Sequence, residues 1–220
     1  MLKSSWSVGK NLHYNMIGIV DYGMGNLLSV YSAFDYLGAD VTICKHPEEL
    51  KKVDRVVIPG VGAFKDCIHK MKETGFKEAL DEEVLHNGKP TLGICLGMQV
   101  MAKKSMEGGE FEGLGWFDAE VIRLSPQEAN MRVPNIGWND VSYRKDVPLF
   151  KGLPAKSDFY LVHSYFMNAT DPEDVVATYD YSHSVTAAVM KNNIFATQFH
   201  PEKSQDHGLR ILENFIDWNP

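Results

Sequence analysis

Short apolar runs alternate with amphipathic stretches through the first half of the chain. Ile17 to Val20 end in the glycine-rich turn Asp21-Tyr22-Gly23-Met24-Gly25-Asn26, and Leu27, Val30, Tyr31, Phe34 and Leu37 then recur at helical spacing. Gly38 is placed to close that helix. Asp40 to Cys44 and Arg55 to Ile58 are two β-branched runs separated by a polar connection through Pro47. Ala63, Cys67, Ile68 and Met71 make one helical apolar face, and Phe76, Ala79, Leu80 and Val84 another, before a strand at Thr91 to Cys95. Buried strand alternating with amphipathic helix predicts an α/β fold, a parallel sheet with helices on both faces.

After Lys104 the pattern changes. Gly108, Gly109, Gly113 and Gly115 loosen the chain, and short strands are expected at Ala119–Leu124, Asp140–Tyr143, Asp158–Val162, Val175–Tyr179, Thr186–Met190 and Ile194–Phe199. Several should pair as hairpins, making the sheet mixed. Ser204 is placed to cap a last helix carrying Leu209, Leu212, Phe215 and Ile216. Residues 1–15 have no clear period and read as a loose extension, so the expected division is that extension followed by one domain over 16–220.

Composition narrows the function classes. With 22 Lys and Arg against 29 Asp and Glu, a net charge of −7 and no basic run, a nucleic-acid surface is not expected. No apolar run approaches a membrane span and no signal-peptide block is visible, so a cytoplasmic protein is expected. Three cysteines without a Cys-x-x-Cys pair suggest neither a disulfide framework nor a zinc site.

Chemistry concentrates at Gly93-Ile94-Cys95-Leu96-Gly97, a Gly-x-nucleophile-x-Gly pattern at the end of a buried strand. A thiol with pKa near 8.5 is only about 3% thiolate at pH 7, and lowering it two units needs about 2.7 kcal/mol. A helix N-terminus supplies about 0.3–1 kcal/mol. A base or cation must therefore help. Among eight histidines, His200 has the best setting: it follows a strand, is locked by Pro201, and has Glu202 two positions on. In an extended segment, period-two alternation puts imidazole and carboxylate on one side. That completes the roles of nucleophile, base and orienting carboxylate.

Together, Gly-Ile-Cys-Leu-Gly-Met-Gln and Gln-Phe-His-Pro-Glu-Lys-Ser resemble the class I glutamine amidotransferase family. Asp21 to Asn26, Pro59-Gly60-Val61-Gly62-Ala63-Phe64 and the Gln198 to Phe215 stretch are similar to its glutaminase subunits of imidazole glycerol phosphate synthases. The similarity runs from about Met16 to the end.

The resemblance implies a three-layer sandwich with a central, mostly parallel, mixed sheet and a flavodoxin-like core. It implies that Cys95 attacks the side-chain amide of glutamine, with His200 as base then acid and Glu202 orienting it. Leu96 N–H and a peptide at Val61-Gly62 would form the oxyanion hole, the latter by a flip that acts as a switch. Gly62, Gln99, Glu107, Ser164 and Tyr165 would hold glutamine. The ammonia would pass to a separate cyclase subunit, a (β/α)8 barrel that makes imidazole glycerol phosphate and an aminoimidazole carboxamide ribotide. Asn26, Trp138, Tyr160 and Lys203 match interface positions in such heterodimers. No cofactor and no metal are implied.

Other readings compete at several residues. Cys44 and Cys67 read as inert core thiols, His163 as a residue that shapes the neighbouring pocket, and Trp218 as helix packing. Trp138 could be core or interface. Gly23-x-Gly25 fails as a dinucleotide fingerprint because position 28 is Leu. Asp81-Glu82-Glu83 reads as a solvated helix face. Competing functions are the same glutaminase chemistry feeding another synthase, a non-catalytic partner-binding subunit, or a cysteine peptidase on the same fold.

Overall fold

A computed structural model of the chain describes residues 15–128 and 131–220, so the expected extension over 1–15 lies almost wholly outside the described residues. In order, the chain forms β1 (Ile17–Val20), α1 (Leu27–Tyr36), β2 (Val41–Cys44), β3 (Arg55–Gly60), α2 (Phe64–Glu73), α3 (Phe76–Leu80) and β4 (Thr91–Cys95). It continues with α4 (Leu96–Gln99), β5 (Ala102–Ser105), β6 (Phe111–Glu112), β7 (Phe117–Arg123), β8 (Asn135–Tyr143), β9 (Lys156–His163) and β10 (Tyr165–Ala169). The last elements are β11 (Val175–Asp180), β12 (Ser184–Lys191), β13 (Ile194–Thr197) and α5 (Gln205–Asp217).

Nine strands form one sheet in the order β2-β1-β3-β4-β13-β12-β11-β8-β9. The ladders from β2 to β13 are parallel and those from β13 to β9 antiparallel, so the sheet is mixed and its parallel half carries β4. A second sheet, β10-β7-β5-β6, was not expected from the sequence.

Alternation along the strands builds two cores. Ile17, Ile19, Val57, Leu92 and Ile94 face α1 and α5, meeting Val30, Phe34, Ile211, Leu212 and Phe215. Val20, Val56, Ile58 and Ala196 face the other way, toward Cys67, Ile68 and Met71 of α2 and toward Phe117, Val121 and Met167 of the small sheet. The third layer is thus part helix and part sheet. Arg55 is buried and donates to the Trp218 carbonyl and, at 3.2 Å, to Asn219 Oδ1, which ties the C-terminus beneath the sheet.

The acidic cluster departs from expectation. Helix α3 runs on into a π-helical turn at Asp81–His86, where Glu83 is buried and paired with Lys89 Nζ at 2.8 Å. Asp81 accepts from Trp116 Nε1 at 2.8 Å. Only Glu82 stands out in solvent, because the turn's wider pitch rotates its neighbours inward. None of the described helices is long and apolar enough to cross a membrane.

Candidate active site

The carboxyl ends of β3, β4 and β13 converge where open α/β sheets place ligands. At the end of β4, Cys95 adopts φ 55° and ψ −108°, a conformation that costs a non-glycine residue about 1–3 kcal/mol. The strain turns the strand sharply into α4. A Cβ on Gly97 would lie 1.8 Å from the Ile58 carbonyl oxygen, so only glycine lets this elbow close on β3. Gly60, in register with Cys95, is equally tight: a Cβ there would meet Gly97 N and the Tyr22 hydroxyl at 2.8 Å. Helix α4 is a single turn, so its dipole contributes little to the sulfur.

His200 is buried and its Nδ1–H donates to Glu202 Oε1 at 2.9 Å, so Nε2 is the free end of the ring. Among the described residues Nε2 has no hydrogen-bond partner, and the ring lines the same cavity as Cys95. Burial opposes the charged imidazole, but the Cys95 sulfur and the Glu202 carboxylate more than offset it and hold its pKa above the usual histidine range. The expected pairing is therefore present, for a different reason. The strand stops at Thr197, and Pro201–Lys203 is a 3-10 turn, so backbone curvature rather than period-two alternation brings Glu202 to the ring.

The cavity is about 330 Å³ and is lined by Cys95 and His200 together with Val61, Gly62, Leu96, Gln99, Glu107, Ser164 and Tyr165. Every residue expected to bind glutamine or form the oxyanion hole reaches it. Glu107 has one carboxylate oxygen fixed by the Phe64 N–H at 2.8 Å, at the start of α2. Gln99 Nε2 donates to the Tyr165 carbonyl at 2.7 Å and to Gln198 Oε1 at 3.0 Å. His163 also lines the cavity; its Nδ1–H donates to the Tyr165 carbonyl at 2.9 Å and its Nε2 accepts from the Tyr179 hydroxyl at 2.8 Å. Burial pushes His163 down to about 4, which keeps it neutral in that network. Cys44 and Cys67 lie in the core away from the cavity, pushed up by burial to about 11 and about 12.

The four expected interface residues stand outside the cavity. Trp138 and Tyr160 are cross-strand partners on β8 and β9 with rings 6.2 Å apart, and Lys203 Nζ lies 6.0 Å from the Tyr160 ring. Trp138 is 44% exposed, so it is not a core aromatic. Asn26 is at the N-terminus of α1, accepting from Ser29 Oγ at 2.9 Å.

Two residues for which no role at the site was expected from sequence, Ser204 and Gln198, pack against the triad. Ser204 precedes α5 as expected but does not cap it with its side chain. Its hydroxyl donates to the His200 carbonyl at 2.6 Å and accepts from Tyr160 N–H at 3.0 Å, while His200 N–H donates to the Tyr160 carbonyl at 3.0 Å. Gln198, wholly buried, donates through Nε2 to Cys95 Sγ at 3.6 Å. Among the described residues no cluster of three or more His, Cys, Asp or Glu is arranged to hold a metal ion.

A family model described as glutamine amidotransferase class-I matches residues 18–218. The chain is 49% identical over 201 residues to the imidazole glycerol phosphate synthase subunit HisH 1 of Campylobacter jejuni, covering 91% of this chain and 99% of the relative. It is 44% identical to subunit HisH of Caldanaerobacter subterraneus, covering 91% and 97%. Among solved structures, PurLQS from Thermotoga maritima superposes with a TM-score of 0.74 at 17% identity, covering 93% of this chain and 98% of that one. That last likeness speaks to fold alone.

Proposed function

Because the chain belongs to the class I glutamine amidotransferases, we propose that it is the ammonia-supplying subunit of an imidazole glycerol phosphate synthase. It hydrolyses glutamine to glutamate and ammonia and passes the ammonia to a cyclase subunit in histidine biosynthesis. The glutaminase domain on this reading spans 16–220. The three cysteines stay unpaired, as in a reducing cytoplasm, where we place the protein.

The observation that carries the chemistry is the strained Cys95 sharing one cavity with the free end of a Glu202-oriented imidazole. The Cys95 thiolate adds to the glutamine side-chain carbonyl, whose electron pair moves onto oxygen. Leu96 N–H, at the start of α4, and a peptide N–H at Val61-Gly62 are the donors for that oxyanion, each worth about 2.7–4 kcal/mol of barrier. Collapse breaks the C–N bond as imidazolium at His200 gives its proton to the leaving nitrogen, and ammonia departs. Water then adds to the thioester while His200 takes its proton. The C–S bond breaks, its pair returns to sulfur, and glutamate leaves.

Glu107 supplies the negative charge to meet the α-ammonium of glutamine, with Gln99, Gly62 and the backbone at Ser164 and Tyr165 as further contacts. Asn26, Trp138, Tyr160 and Lys203 form the face toward the cyclase barrel. Ammonia released to water is protonated and lost as a nucleophile, so a docked acceptor is what makes the hydrolysis useful. Labelling with diazo-oxo-norleucine, a glutamine-like electrophile, tests the assignment: modification confined to Cys95 and abolished in Cys95→Ala is expected. Labelling elsewhere, or none in the presence of the cyclase subunit, would overturn it.

A further inference from the structure

The triad leaves one buried polar side chain at the sulfur unused. Gln198 Nε2 lies 3.6 Å from Cys95 Sγ, a normal N–H···S separation, and which end of the amide faces the sulfur is fixed from the backbone. The Tyr165 carbonyl can only accept, as it does from His163 Nδ1–H, so the Gln99 atom 2.7 Å from it is the amide nitrogen. That same nitrogen lies 3.0 Å from Gln198 and needs an acceptor there. Gln198 Oε1 therefore faces Gln99, and its NH₂ faces Cys95. His163, held in turn by Tyr179 at 2.8 Å, anchors the whole chain of bonds. The amide cannot turn over without losing the chain.

Resting on the reading of Cys95 as the nucleophile, we propose that Gln198 is a further catalytic residue, a neutral donor to the sulfur whenever the sulfur carries charge. A thiol or thioester sulfur is a weak acceptor and a thiolate a strong one. The bond therefore favours the thiolate before attack, and favours it again as leaving group when the thioester C–S bond breaks and the electron pair returns to Sγ. No proton moves to or from Gln198. The one-turn α4 gives this sulfur little dipole support, which leaves such a donor a role to fill.

Iodoacetamide alkylation of Cys95 in the full chain, followed from pH 5 to 9 by mass spectrometry of its peptide, tests the proposal. Gln198→Met keeps the volume and removes the N–H; Gln198→Glu keeps an acceptor for Gln99 and replaces the donor with an oxygen. The rate midpoint should move to higher pH in both, with alkylation at pH 7 about tenfold slower. Cys44 and Cys67 are buried, so their continued resistance certifies that a variant is folded. A folded variant of either kind whose Cys95 keeps the parent's pH midpoint would overturn the role. Failure of the glutaminase reading looks different: the parent would then hydrolyse no glutamine even with the cyclase subunit and its nucleotide present, whatever the alkylation profile of Gln198→Met.

Discussion

At the residue scale, bond-making and tuning fall to different side chains. On the proposed mechanism Cys95 forms the covalent intermediate, whereas Glu202 only orients and charges His200, so Glu202→Ala should leave roughly a hundredfold more residual turnover than Cys95→Ser. Single-turnover glutamine hydrolysis measures the difference, and equal losses would contradict the division of roles. His163 makes a second prediction. Its folded pKa is depressed to about 4, so below about pH 6.5 the unfolded chain binds a proton that the folded chain refuses. Stability from this residue is complete above pH 6.5 and is lost as pH falls toward 4, by about 3 kcal/mol in all. Urea midpoints across that window should fall more steeply in the parent than in His163→Gln. The triad was legible because Cys95 and the His200–Glu202 pair each lie in a compact local pattern. Gln198 was not, since its meaning depends on bonds to residues far away in the sequence, Cys95 and Gln99.

At the element scale two junctions hold the site. The β4–α4 elbow packs so closely on β3 that Gly97→Ala would drive a methyl into the Ile58 carbonyl; a loss of about 3 kcal/mol or more, or failure to fold, is expected in denaturant titration. The second junction is the Ser204 hydroxyl, which ties the His200 turn to β9. Ser204→Ala should cost about 1–3 kcal/mol of stability because the Tyr160 N–H is left without its acceptor. A kcat loss exceeding the KM change would show that the displaced group is His200 rather than a glutamine contact. Most strands were legible from their β-branched runs, but β5, β6 and β10 were not. Lys103 and Lys104 break the apolar signal of β5, β6 is two residues long, and β10 follows β9 after one residue with no turn signature. The start of strand β8 was hidden because its alternation carries apolar Ile136 and Trp138 on the exposed face, 62% and 44% exposed, and Asn135 on the buried one.

At the scale of the whole molecule, the outward Trp138 belongs to the face proposed for the cyclase subunit. Trp138 stacks edge-on against Tyr160, and the Tyr160 ring lies 6.4 Å from that of His200, so the proposed partner face reaches the proposed base in two steps. Trp138→Ala should weaken the complex by about 2 kcal/mol, roughly thirtyfold in Kd, as truncating a central aromatic anchor does, and titration calorimetry reads it. The parallel half of the sheet was predictable from strand–helix alternation. The hairpin pairs β8–β9, β11–β12 and β12–β13 match the mixed sheet expected for the second half, whereas the small second sheet depends on pairings, β5 beside β7 and β10 beside β7, that no local pattern announces. The measurement that bears most directly on the whole account is glutamine hydrolysis by this chain alone, with the cyclase subunit, and with that subunit plus its phosphoribulosyl nucleotide. Slow turnover alone, strong stimulation by partner and nucleotide together, and no activity in Cys95→Ala are expected; a rate indifferent to the partner and its nucleotide would contradict it.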